Sequence, residues 1–113
     1  MTFSDSVEAV ERLARSHGFI VERSHDLQAT LASKGFRIQA LRIYELHFAG
    51  EEPPFVGVDG EFRRCRMRVY VEGDTVFVSV IRPMSLLEPG DDLAACAREV
   101  ERRVTNLVDE IAG

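Results

Sequence analysis

Two stretches of the chain repeat their apolar residues at the helical spacing of three and four positions. Near the N-terminus the repeat is formed by Val7, Val10, Leu13 and Ala14. It predicts a helix from about Ser4 to His17, with Ser4 or Ser6 as its N-cap and Gly18 as its left-handed end. Near the C-terminus a longer repeat is formed by Leu93, Cys96, Ala97, Val100, Val104, Leu107, Val108 and Ile111. It predicts a helix about 30 Å long, capped by Asp91 or Asp92.

Between these helices the pattern changes to that of β-strands, interrupted by one short helix. The run from Phe19 to Ser24 is β-branched and aromatic at its start, which predicts a first strand. Asp26 is then placed to cap a short second helix from Leu27 to Lys34, which Gly35 ends.

The run from Phe36 to Phe48 predicts a second strand whose alternation does not keep one phase. The apolar parity changes at Leu41 and changes back at Tyr44. We expect a β-bulge inside this strand, because one extra residue exchanges the two faces. A loop follows from Ala49 to Gly60, and its length of about a dozen residues is typical of loops that are functional or mobile.

Gly73-Asp74 separates two strongly alternating runs and predicts a type II′ hairpin turn, which fixes the cross-strand register. On one face the predicted pairs are Val71 with Val76, Val69 with Val78, and Met67 with Val80. On the other face they are Glu72 with Thr75, Tyr70 with Phe77, Arg68 with Ser79, and Arg66 with Ile81. The first face is wholly apolar and belongs to the core. The second is too apolar for a solvated face, so we expect it to be covered in part. Pro83 ends the second arm, and a loop covers 84–90.

Together these elements predict one α+β domain over residues 1–113. We expect an antiparallel sheet of about four strands with helices packed on one face, in the order α-β-α-β-β-β-α. The long C-terminal helix matches strand arms of about 30 Å and is expected to lie along the core side of the sheet. The length of 113 residues suits one domain that folds without a disulfide or a metal.

Three segments carry a resemblance to a known family. They are Val69-Tyr70-Val71-Glu72-Gly73-Asp74-Thr75-Val76-Phe77-Val78-Ser79 with the following Arg82-Pro83-Met84 and Leu87, then Asp26 to Leu31 leading to Gly35, and Leu13 through Gly18-Phe19. In these segments the chain resembles the domain-of-unknown-function family 302. The resemblance implies a small α+β domain with helices on an antiparallel sheet, a homodimer, and no assigned activity.

The chain departs from that family at two places. Many members carry an Asn-Pro or Cys-Asn-Pro element after the long strand, where this chain has His47-Phe48-Ala49-Gly50. Some members also have a histidine after the aspartate that opens the second helix, where this chain has Leu27. The resemblance therefore transfers neither thiol chemistry nor a site built on those residues.

Charge and composition exclude several classes of partner. A formal net charge of −5 argues against nucleic acid as the main partner. No apolar run approaches the roughly 18 residues of a membrane helix, and the N-terminus lacks the order of a signal peptide. We expect a cytoplasmic protein. Cys65 and Cys96 have no metal or redox spacing and fall on apolar faces, so we expect buried free thiols and neither metal nor cofactor.

An arginine row is the clearest candidate for binding. Arg64, Arg66 and Arg68 alternate along one strand and project from one face, next to Tyr70. Guanidinium groups about 7 Å apart repel one another unless carboxylates or an anion neutralise them. One interpretation is neutralisation by acids, either those of a second subunit or Glu45, Glu61 and Glu72. The other is that the row binds an anionic small molecule or an acidic partner surface.

The histidines and one acidic pair complete the candidate chemistry. We expect His17 at a helix end, where the macrodipole favours it, and His25 in a loop. His47 lies at a strand end beside the long loop, which is a typical place for function. Glu51-Glu52 is interpreted as a solvated charge pair without a partner cation. Because no nucleophile–base pair is found, no catalytic residue is assigned.

We therefore predict a homodimeric binding or structural module. Its candidate binding residues are Arg64, Arg66, Arg68, Tyr70 and His47. The expected partners are a second copy and an anionic small molecule, with no membrane and no nucleic acid. The alternative is a small enzyme with a site at the end of the long strand, near His47 and the 49–60 loop.

Overall fold

A computed structural model describes residues 2–53, 55–58, 63–80 and 94–112 of the chain. Within these ranges there are three α-helices, one 3-10 turn and four strands. They are α1 Phe3–Leu13, the 3-10 turn Arg15–His17, β1 Phe19–Asp26, α2 Leu27–Ala32, β2 Leu41–Phe48, β3 Arg64–Glu72, β4 Thr75–Val80 and α3 Ala94–Ala112. The predicted α+β class, its element order and the long C-terminal helix are confirmed. The predictions for Ile81, Pro83, the 84–90 loop and the cap at Asp91 or Asp92 lie outside the described residues.

The cap predicted for α1 is wrong. Thr2 caps the helix, because its hydroxyl accepts from the Asp5 amide at 3.1 Å and the Asp5 carboxylate accepts from the Thr2 amide at 3.2 Å. Ser6 is buried instead, and its hydroxyl donates to the Thr2 carbonyl at 3.1 Å. The α-helix proper ends at Leu13 and the 3-10 turn continues to His17, so the predicted end of the helical segment holds.

The four strands form one antiparallel sheet in the order β1-β2-β3-β4. The predicted β3–β4 register is confirmed at every pair that lies within the described residues. Gly73 has φ +62°, and no described non-glycine residue has a positive φ. That combination is expected of a type II′ turn with glycine at its first central position.

The bulge predicted inside the second strand is wrong. β2 begins only at Leu41 and pairs with β3 without interruption through His47. Phe36 and Ile38 precede the strand and are exposed. Their alternation is therefore not part of the β2 pattern, and no bulge is needed to explain the change at Leu41. Within β2 the alternation is regular, with Tyr44 buried on the helix side and Ile43 on the other side.

A bulge is found in β1 instead, between Val21 and Arg23. Since one residue is inserted, the residues after it exchange faces. His25 is thereby turned away from α1 and α3. Asp26 is turned to their side, where its carboxylate accepts from the Ala29 amide at 3.0 Å and caps α2 as predicted.

The α2 helix is shorter than predicted. It ends at Ala32 rather than Lys34, and Gly35 follows with φ +90°. None of its residues is buried. Its short length is therefore consistent with the small amount of apolar surface that it can bury.

The core lies between the sheet and the pair α1 and α3. It includes Val10, Phe19, Tyr44, Leu46, Phe48, Met67, Val69, Val100, Val104 and Leu107. Cys65 and Cys96 are buried thiols that form no disulfide, as predicted. Burial raises the pKa of the Cys65 thiol to about 12, which keeps it protonated at neutral pH. Within the described ranges no helix is both long and apolar enough to cross a membrane.

Candidate functional site

The sheet face opposite α1 and α3, here called the open face, carries the candidate residues. The register and the alternation of side chains place there Ile20, Arg23, His25, Leu41, Ile43, Glu45, His47, Arg64, Arg66, Arg68, Tyr70, Glu72, Thr75, Phe77 and Ser79. All five predicted binding residues therefore share one face. The open face divides into a charged end and an apolar end.

At the charged end, two of the three arginines lie within ion-pair distance of carboxylates. Arg64 donates from Nε to Oε1 of Glu22 at 3.2 Å, and Arg66 lies 3.6 Å from Oε1 of Glu45. Glu45 was predicted as a partner. Glu22 was missed, because it reaches Arg64 across β2 from the bulge in β1. Glu72, a predicted partner, forms no ion pair with a described residue, and Glu61 lies outside the described residues.

His25 belongs to this charged end, and its predicted loop position is wrong. It lies in β1, where Nε2 is 2.9 Å from Oε2 of Glu45. The hydrogen bond from His25, and after it the charges of Arg66 and Arg23, lower the pKa of Glu45. Glu45 therefore remains ionised and pairs with one side chain from each neighbouring strand, His25 of β1 and Arg66 of β3.

The apolar end of the open face contains a pair of stacked aromatic rings. The ring centroids of Tyr70 and Phe77 are 5.3 Å apart and their planes are inclined by 19°. Leu41 is the neighbour of Tyr70 in the sheet, and Ile43 is the neighbour of Arg68. Phe77 is 41% exposed. This end is therefore a mixed aliphatic and aromatic patch on the sheet surface.

Arg68 lies between the two ends and differs from the other two arginines. It donates from Nε to the Ser79 hydroxyl at 3.2 Å, and its guanidinium carbon is 5.3 Å from the centre of the Tyr70 ring. No carboxylate of a described residue forms an ion pair with it. Its charge is thus held in place but not neutralised by the part of the chain that the structure describes.

Described residues line two depressions on this face. One has a volume of about 200 Å³ and is lined by Glu22, Arg23, Glu45 and Arg64. The other has a volume of about 370 Å³ and is lined by Ile43, Arg66, Arg68, Ser79 and Val80. The first is lined by groups of both charges. The second combines two cations with a hydroxyl and aliphatic residues.

His47 lies at the charged edge of the open face, between Ile20 and Arg64 in the register. Its side chain lines neither depression and makes no hydrogen bond or ion pair with a described residue. Likewise, the described residues contain no group of three His, Cys, Asp or Glu side chains that could hold a metal ion. His47 therefore lies beside the long loop as predicted, but no described residue is its partner for acid–base chemistry.

The acidic pair Glu51-Glu52 has partner cations, contrary to the prediction. Oε1 of Glu51 is 3.5 Å from Nη1 of Arg63, and Oε1 of Glu52 is 3.3 Å from Nη2 of Arg103. These contacts link the loop after β2 to Arg63, which immediately precedes β3, and to α3. His17 also contacts α3, since its Nε2 pairs with the Glu110 carboxylate.

Arg63 was missed by the sequence analysis and has a structural role. Its side chain is 5% exposed and donates to the carbonyls of Gly50 at 2.5 Å and Val58 at 3.2 Å, and to that of Phe55. Arg63 immediately precedes β3, and extending the strand alternation back by one residue would have placed it on the face opposite Arg64. Hydrogen bonds from this buried guanidinium group therefore hold the described part of the long loop in place.

Comparison with known proteins supports the fold. No family model matches the sequence, and no curated protein matches it. The structure is similar to the crystal structure of an uncharacterised conserved DUF302 protein from Bacillus stearothermophilus, with a TM-score of 0.82 and 22% sequence identity. The match covers 98% of this chain and 91% of that chain. The resemblance to domain-of-unknown-function family 302 is thus confirmed at the level of the fold.

Proposed function

We propose that the chain is a one-domain homodimeric binding module whose working surface is the open face. The observation that carries this proposal is the apolar end, where Tyr70 and Phe77 stack on the side of the sheet opposite both long helices. Apolar patches rimmed by polar residues mark interaction sites in soluble proteins. Tyrosine, phenylalanine and arginine are also the residue types enriched at interfaces.

A second copy of the chain is the occupant that the charges favour. The open face carries Arg23, Arg64, Arg66 and Arg68 together with Glu45 and Glu72, and Glu22 of the β1 bulge lines the depression at its charged end. These charges nearly balance, whereas the whole chain has a net charge of −5. Two copies therefore repel each other least when they approach through this face. An isologous dimer would bring the same aromatic pair of both copies together.

The test is the mass of the protein in solution at tens of micromolar. We expect about twice the chain mass of 12.7 kDa for the wild type and a value near 12.7 kDa for Phe77→Glu. The matched control is Val56→Glu, because Val56 is 65% exposed in the loop and does not belong to the sheet. It should remain dimeric. A monomeric wild type, or equal dissociation of both folded variants, contradicts the proposal.

Binding of an anion or of an acidic partner surface is the second part of the proposal. Arg68 supports it, because no described carboxylate neutralises its charge. The net charge of the chain continues to argue against nucleic acid. Two buried cysteines that form no disulfide are typical of a reducing compartment and support a cytoplasmic location. The alternative of a small enzyme near His47 has less support, since no described acid lies within hydrogen-bonding reach of that histidine.

A further inference from the structure

We propose that the groove between Arg66 and Arg68 binds a small organic anion, with a phosphate or carboxylate group and an apolar body. The groove has a volume of about 370 Å³, and its remaining lining residues are Ile43, Ser79 and Val80. The inference rests on the proposed function only in taking the open face as the binding surface. It does not depend on dimerisation.

The two arginines supply the donors that an oxyanion needs. They are two positions apart on β3, so their side chains leave the same face about 7 Å apart. Arg68 has no described carboxylate partner, and the Glu45 oxygen is 3.6 Å from Arg66, which exceeds hydrogen-bonding distance. Both planar guanidinium groups therefore keep donors for a bidentate contact with phosphate or carboxylate.

Neighbouring groups hold Arg68 in a binding position. Its Nε donates to the Ser79 hydroxyl at 3.2 Å, and its guanidinium carbon lies over the Tyr70 ring, 5.3 Å from the ring centre. These contacts occupy Nε and leave the two terminal nitrogens for a ligand. The hydroxyl of Ser79 accepts from Arg68, so its own hydrogen remains available to donate to an anion. An arginine held in this way loses less entropy when it binds.

The aliphatic surface of the groove favours an organic anion over a bare ion. Ile43 supplies it beside the two cations, whereas Val80 borders the groove from a strand position whose side chain packs against the core. A volume of about 370 Å³ lies at the lower end of the range of roughly 300–1,000 Å³ for small-molecule sites. An inorganic ion would leave the aliphatic surface in water, whereas a body the size of a phenyl ring would cover it.

The experiment is a two-dimensional NMR titration of the full chain with four probes. Phenyl phosphate and benzoate are the organic anions, inorganic phosphate is the bare ion, and benzyl alcohol is the neutral analogue. We expect saturable shifts of the Arg66, Arg68 and Ser79 amides with phenyl phosphate, with benzoate, or with both. Inorganic phosphate should bind several-fold more weakly than the better organic anion, and benzyl alcohol should give no saturable shift. The comparison between the two organic anions identifies the preferred acid group.

Matched variants separate a site from general charge attraction. Arg68→Gln should lower the affinity for the better organic anion by about tenfold or more, because it removes charge-assisted hydrogen bonds. Arg64→Gln makes the same charge change on the same strand, outside the groove, and should change the affinity by less than about threefold. In the other direction, Glu45→Gln should strengthen binding by removing the acid nearest to Arg66. Glu22→Gln is its matched control.

Several results would overturn the inference. One is the absence of a saturable shift with either organic anion up to about 10 mM, well into the range of millimolar affinity. Others are equal losses in Arg68→Gln and Arg64→Gln, or equal affinities for inorganic phosphate and the organic anions. If Arg68→Gln does not fold, Arg68→Lys keeps the charge without the planar fork and must still weaken binding. Light scattering on the same samples distinguishes failure of the dimer proposal from failure of the anion-binding proposal. A monomer that binds the anion contradicts only the dimer.

Discussion

The ring of Phe48 occupies the space that a side chain at Gly18 would need. A Cβ atom added at Gly18 would lie 2.5 Å from Cε2 of Phe48. Phe48 also packs edge-on against Phe19, with ring centroids 5.4 Å apart, and lies beneath the guanidinium group of Arg103. The end of the first helical segment, the end of β2 and α3 therefore meet at one aromatic ring.

Gly18→Ala should lower the free energy of unfolding by roughly 2–4 kcal/mol, from left-handed strain and overpacking together. Gly35→Ala is the matched control, because Gly35 has φ +90° but no atom within 4 Å of an added Cβ. Strain alone should cost that variant about 1–2 kcal/mol. Urea unfolding of both variants measures the difference. Equal losses would show that the Phe48 ring moves aside without cost.

Local signals explain which parts of the fold could be predicted. The β3–β4 register follows from a two-residue turn and the alternation on either side of it, and it was confirmed. The bulge depends on which strand pairs with which, so the change of parity near Leu41 was assigned to the wrong cause. The true bulge after Val21 is invisible without the β1–β2 pairing.

The same distinction applies to the candidate site. The shared face of Arg64, Arg66, Arg68 and Tyr70 follows from parity within one strand. The contact between Glu22 and Arg64 spans two strand pairings, so it needs the strand order of the sheet. The alternation of residues along each strand does not reveal which strands lie next to each other in the sheet.

Arg63→Leu tests whether the buried guanidinium group stabilises the loop after β2. The variant removes the donor to the carbonyls of Gly50 and Val58 and leaves that of Phe55 with only the Val58 amide, at a cost of about 1–3 kcal/mol per buried unpaired group. Hydrogen exchange should become faster at the amides of Phe55 and Val58, which are bonded within the loop. The amide of Met67, in the middle of β3, should exchange as before relative to global unfolding.

The matched control is Arg64→Leu. It makes the same substitution one residue further along, at a side chain that is 61% exposed. Its effect on stability should stay within about 0.5 kcal/mol, and the loop amides should be unchanged. If both variants accelerate exchange in the loop, the net charge of this region and not the buried hydrogen bonds holds the loop in place.

Val104→Ala tests the packing of α3 on the sheet. Val104 is fully buried in the core that also contains Val69 of β3. Removing two methyl groups there should lower the free energy of unfolding by roughly 1–3 kcal/mol. Val56→Ala, at a side chain that is 65% exposed, should change it by less than about 0.5 kcal/mol. An unchanged melting temperature for Val104→Ala would contradict the assignment of α3 to the core.

Tyr44 should limit stability at alkaline pH. Burial, and after it the charge of Glu11, raises the pKa of Tyr44 from 10.0 to about 12. Its hydroxyl is 3.5 Å from Oε1 of Glu11, and the hydrogen bond and charge of Arg42, which favour the ionised phenol, offset the effect of burial only in part. Because the folded pKa lies above the unfolded value, the stability contributed by the neutral phenol is complete below pH 10 and is lost as the pH rises towards 12.

The chain has two tyrosines, so the tyrosinate absorbance of the wild type minus that of Tyr44→Phe reports Tyr44 alone. We expect this difference to appear only as the protein unfolds at high pH, and the alkaline loss of stability to be smaller in Tyr44→Phe. Cys65 ionises in the same range, because its pKa is also raised to about 12. Cys65→Ala therefore serves as the background in which the comparison is repeated. Ionisation of Tyr44 near pH 10 in the folded protein would show that water reaches its hydroxyl and that α1 does not seal this side of the core.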